Sequence, residues 1–96
     1  MYLVEILMPA GEGEELRRMR DELTDRFGGV TIFSRSPAVG LWKESASSPP
    51  ERDDIIVFEV MTPKLERDWW GRYRETLETR FGEDLIVVRV SEVETL

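Results

Sequence analysis

The fold is decided by Ile55-Ile-Val-Phe-Glu59-Val-Met-Thr62-Pro63, an apolar stretch with a turn at its end, and by the helix pattern that follows it to Gly82. The chain contains this unit twice. A shift of 54 residues places Tyr2-Leu-Val-Glu5-Ile-Leu-Met-Pro9 on residues 56–63, and without a gap it places Arg26-Phe-Gly28 on Arg80-Phe-Gly82. Residues 2–36 and 56–90 share 11 identities in 35 pairs, where composition alone gives roughly two or three. The sequence therefore predicts two copies of one β-α-β unit.

The composition is that of a single globular domain over residues 1–96 with few reactive side chains. The chain is 41% hydrophobic and 34% charged, which is typical of an ordinary folded protein rather than a disordered one. Cysteine and histidine are both absent. Their absence from the sequence excludes disulfides, thiolate or imidazole metal ligands and Ser-His-Asp chemistry. We therefore expect neither a metal nor another cofactor.

The charge pattern argues against two classes of partner. A net charge of −7 is unsuited to nucleic acid, whose phosphates attract a basic surface. The arginines alternate with acids at helical spacing, as in Glu22/Arg26 and Arg74/Glu78, which indicates a solvated, self-paired surface. The start of the sequence does not resemble a signal peptide, and no apolar stretch approaches the ~20 residues of a membrane span. We expect a cytoplasmic protein that binds neither nucleic acid nor membrane.

Alternating apolar residues predict four strands, at 2–8, 30–36, 55–62 and 85–91. The first helix is predicted from about Glu12 to Phe27. The second is predicted from Pro63, with Thr62 as its N-cap, to Phe81. The segment 37–54 has no counterpart in the repeat, and we interpret it as a long inserted loop with an ordered apolar half and a mobile polar half.

Two β-α-β units in tandem predict an α+β fold, the ferredoxin-like split β-α-β sandwich with strand order 4-1-3-2 and both helices on one face of the sheet. The repeat assigns Trp70 to the core, because it aligns with Leu16, and Trp69 to a border, because it aligns with Glu15. The residues predicted to face the helices are Val4, Ile6, Ile32, Phe58, Val60, Ile86 and Val88.

The opposite face of the sheet is predicted to be too apolar to stay in water. Its apolar members are Leu3, Leu7, Phe33, Val57, Met61, Leu85 and Val87. We expect this face to be covered by the 37–54 loop, by a second subunit, or by both. Because the loop is short for a four-stranded sheet, a homodimer is the preferred prediction.

Four charged residues are predicted on the same open face, namely Glu5, Glu59, Arg35 and Arg89. The pairs Glu5–Arg89 and Glu59–Arg35 are expected across neighbouring strands. In one interpretation they form a catalytic site, where burial raises the pKa of a carboxyl towards that of a general acid or base. In the other they neutralise each other and fix strand register at a covered interface.

Four aromatic residues are candidates for a small-molecule pocket beneath the predicted loop, namely Trp42, Trp69, Phe33 and Tyr2. Aromatic side chains supply the large apolar walls of ligand pockets, but they equally serve as core packing. Both interpretations remain open at this point.

The segments Arg26-Phe-Gly-Gly-Val30, Ser36-Pro-Ala-Val-Gly-Leu-Trp42 and Arg52-Asp-Asp54, together with Trp69-Trp70, resemble an uncharacterised family of small bacterial proteins. The resemblance covers nearly the whole chain. More broadly the layout resembles the dimeric α+β-barrel proteins, which implies two sheets packed face to face around a ligand space. Some members of that group are cofactor-free monooxygenases or isomerases, and others only bind or associate.

Two functions follow as hypotheses. The first is a self-associating module that binds a small molecule or a partner protein at the open sheet face. The alternative is a cofactor-free enzyme of the dimeric α+β-barrel type with its site on the same face. An RNA-recognition domain is not expected, because the central strand positions that would need aromatic residues hold Glu5 and Glu59.

Overall fold

A computed structural model describes residues 1–10, 13–43 and 45–96, with the backbone alone described at 35–38, 42 and 51–53. The predicted α+β class is confirmed. In chain order the elements are β1 (Tyr2–Pro9), α1 (Gly13–Phe27), β2 (Thr31–Trp42), β3 (Glu51–Thr62), α2 (Arg67–Phe81) and β4 (Val87–Glu92). The four strands form one antiparallel sheet in the order β2-β3-β1-β4.

The repeat of the sequence is visible in the helices. Both have 15 residues, and their first residues, Gly13 and Arg67, are 54 positions apart, as in the sequence alignment. Gly28 and Gly82 follow the two helices with φ of 83° and 64°, a conformation that a side chain resists. The predicted C-terminal ends of the two helices, at Phe27 and Phe81, are therefore confirmed.

The start of the second helix differs from the prediction. The helix begins at Arg67 rather than at Pro63, and Glu66 rather than Thr62 is its N-cap. Thr62 is instead the last residue of β3, where it pairs with Tyr2 and its hydroxyl donates a hydrogen bond of 2.9 Å to the carbonyl of Lys64. The hydroxyl therefore stabilises a turn and does not cap a helix. Glu12, the predicted start of the first helix, lies outside the described residues.

The core lies between the helices and one face of the sheet, on the residues that the repeat predicts. Trp70 is 4% exposed, whereas Trp69 is half-buried at the border of the core. Ile32 and Val88 are partly buried against the cluster. The fully buried strand residues are Val4, Ile6, Met8, Phe58, Val60 and Ile86, and the buried helix residues are Met19, Leu23, Trp70, Tyr73 and Leu77.

The predicted loop at 37–54 is wrong over most of its length. Strand β2 continues to Trp42 and β3 already begins at Glu51, so only residues 43–50 connect them. Beyond the end of β1 at Pro9, residues 39–42 pair with residues 51–54 and form a two-stranded extension, here called the arm. At its base the carbonyl of Asp54 also accepts a hydrogen bond of 2.8 Å from the N–H of Ala10. The ladder satisfies backbone groups that a loop would leave to water.

An irregularity in β2 explains why the sequence pattern conceals this arm. The pairing shifts between Phe33 and Ala38, and Pro37 lies within that stretch. Proline is tolerated there because the regular ladder is interrupted and needs no N–H from this residue. Four residues of β2 lie opposite the single residue Ile56 there, so the faces of the strand exchange. Val39 and Leu41 consequently lie on the helix side of the arm, opposite Asp54 and Arg52.

Strand β4 begins two residues later than predicted, at Val87 rather than Leu85. The backbone N–H of Ile86 donates to the carboxylate of Glu78 on α2, at 2.9 Å. Because this donor is satisfied by a helix side chain, Ile86 enters the core without joining the ladder.

Candidate functional site: the open face of the sheet

The face of the sheet opposite the helices is apolar and exposed. Leu3, Leu7 and Val57 in its centre are half-buried by their neighbours. Nothing in the described part of the chain covers the remainder, because the arm extends past the end of β1 rather than folding back. The exposed fractions are 42% for Phe33, 47% for Met61, 44% for Val87 and 66% for Leu85.

Strand register arranges this open face in three rows that run across the strands. One apolar row contains Leu3 and Met61, beside Ser91 on β4. The other apolar row runs through Val87, Leu7, Val57 and Phe33. Between them lies the charged row, which consists of Arg89, Glu5, Glu59 and Thr31 in the order β4, β1, β3, β2.

The predicted cross-strand pair between Glu5 and Arg89 is present. The two residues are directly opposite in the β1–β4 ladder. Arg89 Nε donates to Glu5 Oε1 at 3.1 Å, and Arg89 Nη2 donates to Glu5 Oε2 at 3.4 Å. The Glu5 side chain is 21% exposed and that of Arg89 58%. Because water screens the pair, we assign it at most about 1 kcal/mol in the single chain.

The predicted pair between Glu59 and Arg35 is not supported by the register. The residue opposite Glu59 is Thr31, whereas the repeat places Arg35 there. The β2–β3 ladder is offset by four residues from its repeat counterpart, the β1–β4 ladder. An even offset keeps each side chain on its predicted face while changing its partner. The side chain of Arg35 lies outside the described residues.

Glu59 differs from Glu5 in its surroundings. It is half-buried, and the ion pairs found among described side chains do not include it. It lines a depression of about 500 Å3 together with Phe27, Thr31 and Met61, and the backbone of 28–30 closes one side. The offset of the β2–β3 ladder creates this depression, because β2 begins opposite Glu59 and leaves Met61 without a ladder partner on that side.

The four aromatic pocket candidates are not brought together. Phe33 lies on the open face, whereas Tyr2, by strand alternation, is on the helix side together with Val4. Trp69 belongs to α2, on the far side of the sheet from Phe33. Alternation separates two of these residues, so the pocket of all four stays a prediction that the described side chains do not support. The side chain of Trp42 lies outside the described residues.

Trp69 instead takes part in an aromatic cluster at one end of the helices. Its ring is stacked on Tyr73 at 4.9 Å between centroids and lies edge-on to Trp70 and Phe27. The guanidinium of Arg26 lies over the indole, 4.2 Å from its centroid, and donates to Glu66 at 2.7 Å. A shallow surface depression of about 410 Å3 adjoins this cluster. The arrangement is a helix-packing contact with a cation–π cover.

A polar contact between the helices has no sequence signal, because the repeat gives it no counterpart. Arg80 donates to both carboxylate oxygens of Glu22, with Nη2 at 2.8 Å from Oε2, and the Tyr73 hydroxyl donates to Glu22 at 3.2 Å. The hydrogen bonds from Arg80 hold the pKa of Glu22 below its usual range, and burial raises the pKa of Tyr73. These groups join α1 to α2, away from the open face.

Among the described residues, no group of three or more acidic side chains is placed to hold a metal ion. None of the described helices is long and apolar enough to cross a membrane. No model of a known protein family matches the chain, and the comparison with curated proteins finds no match either. The resemblance to a family of small bacterial proteins therefore stays a prediction.

Proposed function

We propose that this protein is a self-associating module with a ferredoxin-like fold, and that two copies pack together through the open face of the sheet. The element order β-α-β-β-α-β and the sheet order support the fold assignment. The observation that carries the functional proposal is the pair of exposed apolar rows on either side of a charged row. Apolar surface of this extent marks an interaction site in a folded protein.

The energetics favour a second copy as the occupant of this face. Four strands spaced about 4.8 Å apart, each with about six residues, present a surface of roughly 20 by 20 Å. About two thirds of this surface is apolar on each copy, so a face-to-face pair buries roughly 500 Å2 of apolar surface. At about 25 cal/mol per Å2 this contributes on the order of 10 kcal/mol before the costs of association. An isologous contact uses the same self-complementary rows on both copies, so it requires no other partner.

Two valines of β4 provide a matched test of this interface. Val87 is on the open face, opposite Leu7, and Val90 is on the helix side, opposite Val4. Their exposed fractions are 44% and 41%. Val87→Glu buries a charge in the proposed interface and should convert a dimer to a monomer, whereas Val90→Glu should leave the dimer intact. Sedimentation velocity at micromolar concentration measures the difference, and a monomeric wild type would exclude the proposal.

The depression at Glu59 favours a second candidate function, a small-molecule site of the kind that a cofactor-free enzyme uses. A carboxylate beside Phe27 and Met61 suits a cationic ligand with an apolar body. Benzylammonium is a suitable probe. In this case its addition should shift the backbone amide resonances of Phe27, Thr31 and Met61, and Glu59→Gln should abolish the shifts. Equal shifts in Glu59→Gln would contradict this candidate.

A further inference from the structure

The charged row of the open face is unbalanced within one copy. Glu5 and Glu59 lie directly opposite each other on β1 and β3, so two carboxylates are neighbours. Arg89 neutralises Glu5 from the other side, and it is the cation that the structure describes in this row. Only about two of its five N–H donors are used in that contact. The row thus contains a carboxylate that lacks a described counterion and a guanidinium with unused donors.

We propose that in the self-associated protein Arg89 of each copy contacts Glu59 of the second copy, so that each guanidinium bridges its own Glu5 and the other copy's Glu59. The inference rests on the proposed function and deepens it, because it assigns the contact that fixes how the two sheets are aligned. A charged pair in an apolar interface contributes more to alignment than to affinity.

The sheet geometry permits this contact with one symmetry operation. Neighbouring strands lie about 4.8 Å apart and packed sheets about 10 Å apart. A two-fold axis that runs along β1, parallel to the strands and midway between the sheets, places β4 of one copy over β3 of the other. Arg89 then faces Glu59 of the second copy, and the symmetry repeats the contact. The operation also keeps each apolar row facing an apolar row.

An axis between β4 and β1 pairs Arg89 with Glu5 of the second copy but leaves Glu59 without a counterion across the interface. Two other placements oppose like charges. An axis between β1 and β3 brings Glu5 against Glu59 of the second copy, since these residues are register partners. An axis perpendicular to the strands, in the plane of the interface, brings Arg89 against Arg89 of the second copy. It likewise brings each glutamate against the same glutamate of the second copy. Like charges in a desolvated interface disfavour these alignments. With the axis on β1, Glu5 does face Glu5 of the second copy, but each Glu5 already has Arg89 of its own chain as counterion.

The test is a charge exchange between two separately purified variants, Glu59→Arg and Arg89→Glu. Alone, each variant forms dimers with two like-charge contacts, so its dissociation constant should rise at least about tenfold over the wild type. In an equimolar mixture the heterodimer has opposite charges at both contacts. We expect its dissociation constant to return to within a few-fold of the wild-type value. The variants differ in mass, so native mass spectrometry separates heterodimers from homodimers.

Mixing isolates the contact between copies. The changes within each chain, such as the loss of the Glu5–Arg89 pair in Arg89→Glu, are the same in the mixture as in the separate variants. Circular dichroism of each variant checks that it is folded. If Glu59 pairs within its own chain instead, for example with Arg35, mixing gives no rescue.

The outcomes separate this inference from the proposal on which it rests. Preferential formation of the heterodimer supports the contact. A dimeric wild type whose two variants associate no more tightly when mixed overturns the contact and leaves the interface in place. A dimeric wild type whose variants dimerise as well alone as the wild type does also overturns it. A monomeric wild type overturns both.

Discussion

The adjacent residues Trp69 and Trp70 show how one position along a helix changes the role of a side chain. Trp70 is 4% exposed and stacks on Phe27 at 5.0 Å between ring centroids, whereas Trp69 is half-buried beneath the Arg26 guanidinium. The repeat predicts this difference, because Trp70 aligns with Leu16 on the predicted core stripe of the first helix, and Leu16 packs against the core while partly buried. A single sequence thus indicates which of two neighbouring tryptophans belongs to the core, provided that it contains a second copy of the helix.

The difference should appear in the free energy of unfolding. Trp70→Ala removes a buried ring and leaves a cavity, so we expect a loss of about 3–5 kcal/mol. Trp69→Ala removes a partly solvated ring and one cation–π contact, so its loss should be clearly smaller. Urea denaturation of the two variants in the Val87→Glu background, where we expect no association, gives both values. A larger loss for Trp69→Ala would show that the helix face is wrongly assigned.

At the scale of elements, faces are more predictable from sequence than partners or ends. Alternation places Glu59 and Phe33 on the open face, and the structure agrees. The partner of Glu59 is Thr31 rather than Arg35, since the ladder is offset by four residues. The sequence does not predict this offset, because an even offset preserves every face and leaves no trace in the apolar pattern.

The ends of elements depend on contacts between residues far apart in the sequence. Ile86 stays outside β4 because the Glu78 carboxylate accepts its N–H, and Thr62 completes β3 because it pairs with Tyr2. The sequence pattern does not predict the arm, for a related reason. Its pairing follows an irregular stretch around Pro37, and the change of face there makes the apolar pattern of 37–42 discontinuous with that of 31–33.

On the scale of the whole molecule, the two faces of the sheet have different roles. The helix side contains the core, with fully buried residues from β1, α1, β3 and α2. The open side contains the charged row, with half-buried apolar residues at its centre and with Phe33, Val87 and Met61 exposed by 42–47%. Composition and repeat together predict both faces, but they do not predict the depression at Glu59, which exists only because the two halves of the sheet differ in register.

Association through the open face should also make thermal stability depend on concentration. A dimer that unfolds to two separate chains gains stability by mass action as the protein concentration rises. Two copies of 96 residues, at about 2.1 cal/mol/K per residue, have an unfolding entropy near 0.4 kcal/mol/K. Each tenfold increase in concentration should then raise Tm by about 3–4 °C. Val90→Glu should show the same slope, whereas Val87→Glu should melt at one temperature at every concentration.

Reversible calorimetric scans over two decades of concentration measure this slope. A wild-type Tm independent of concentration over that range would contradict dissociation-coupled unfolding.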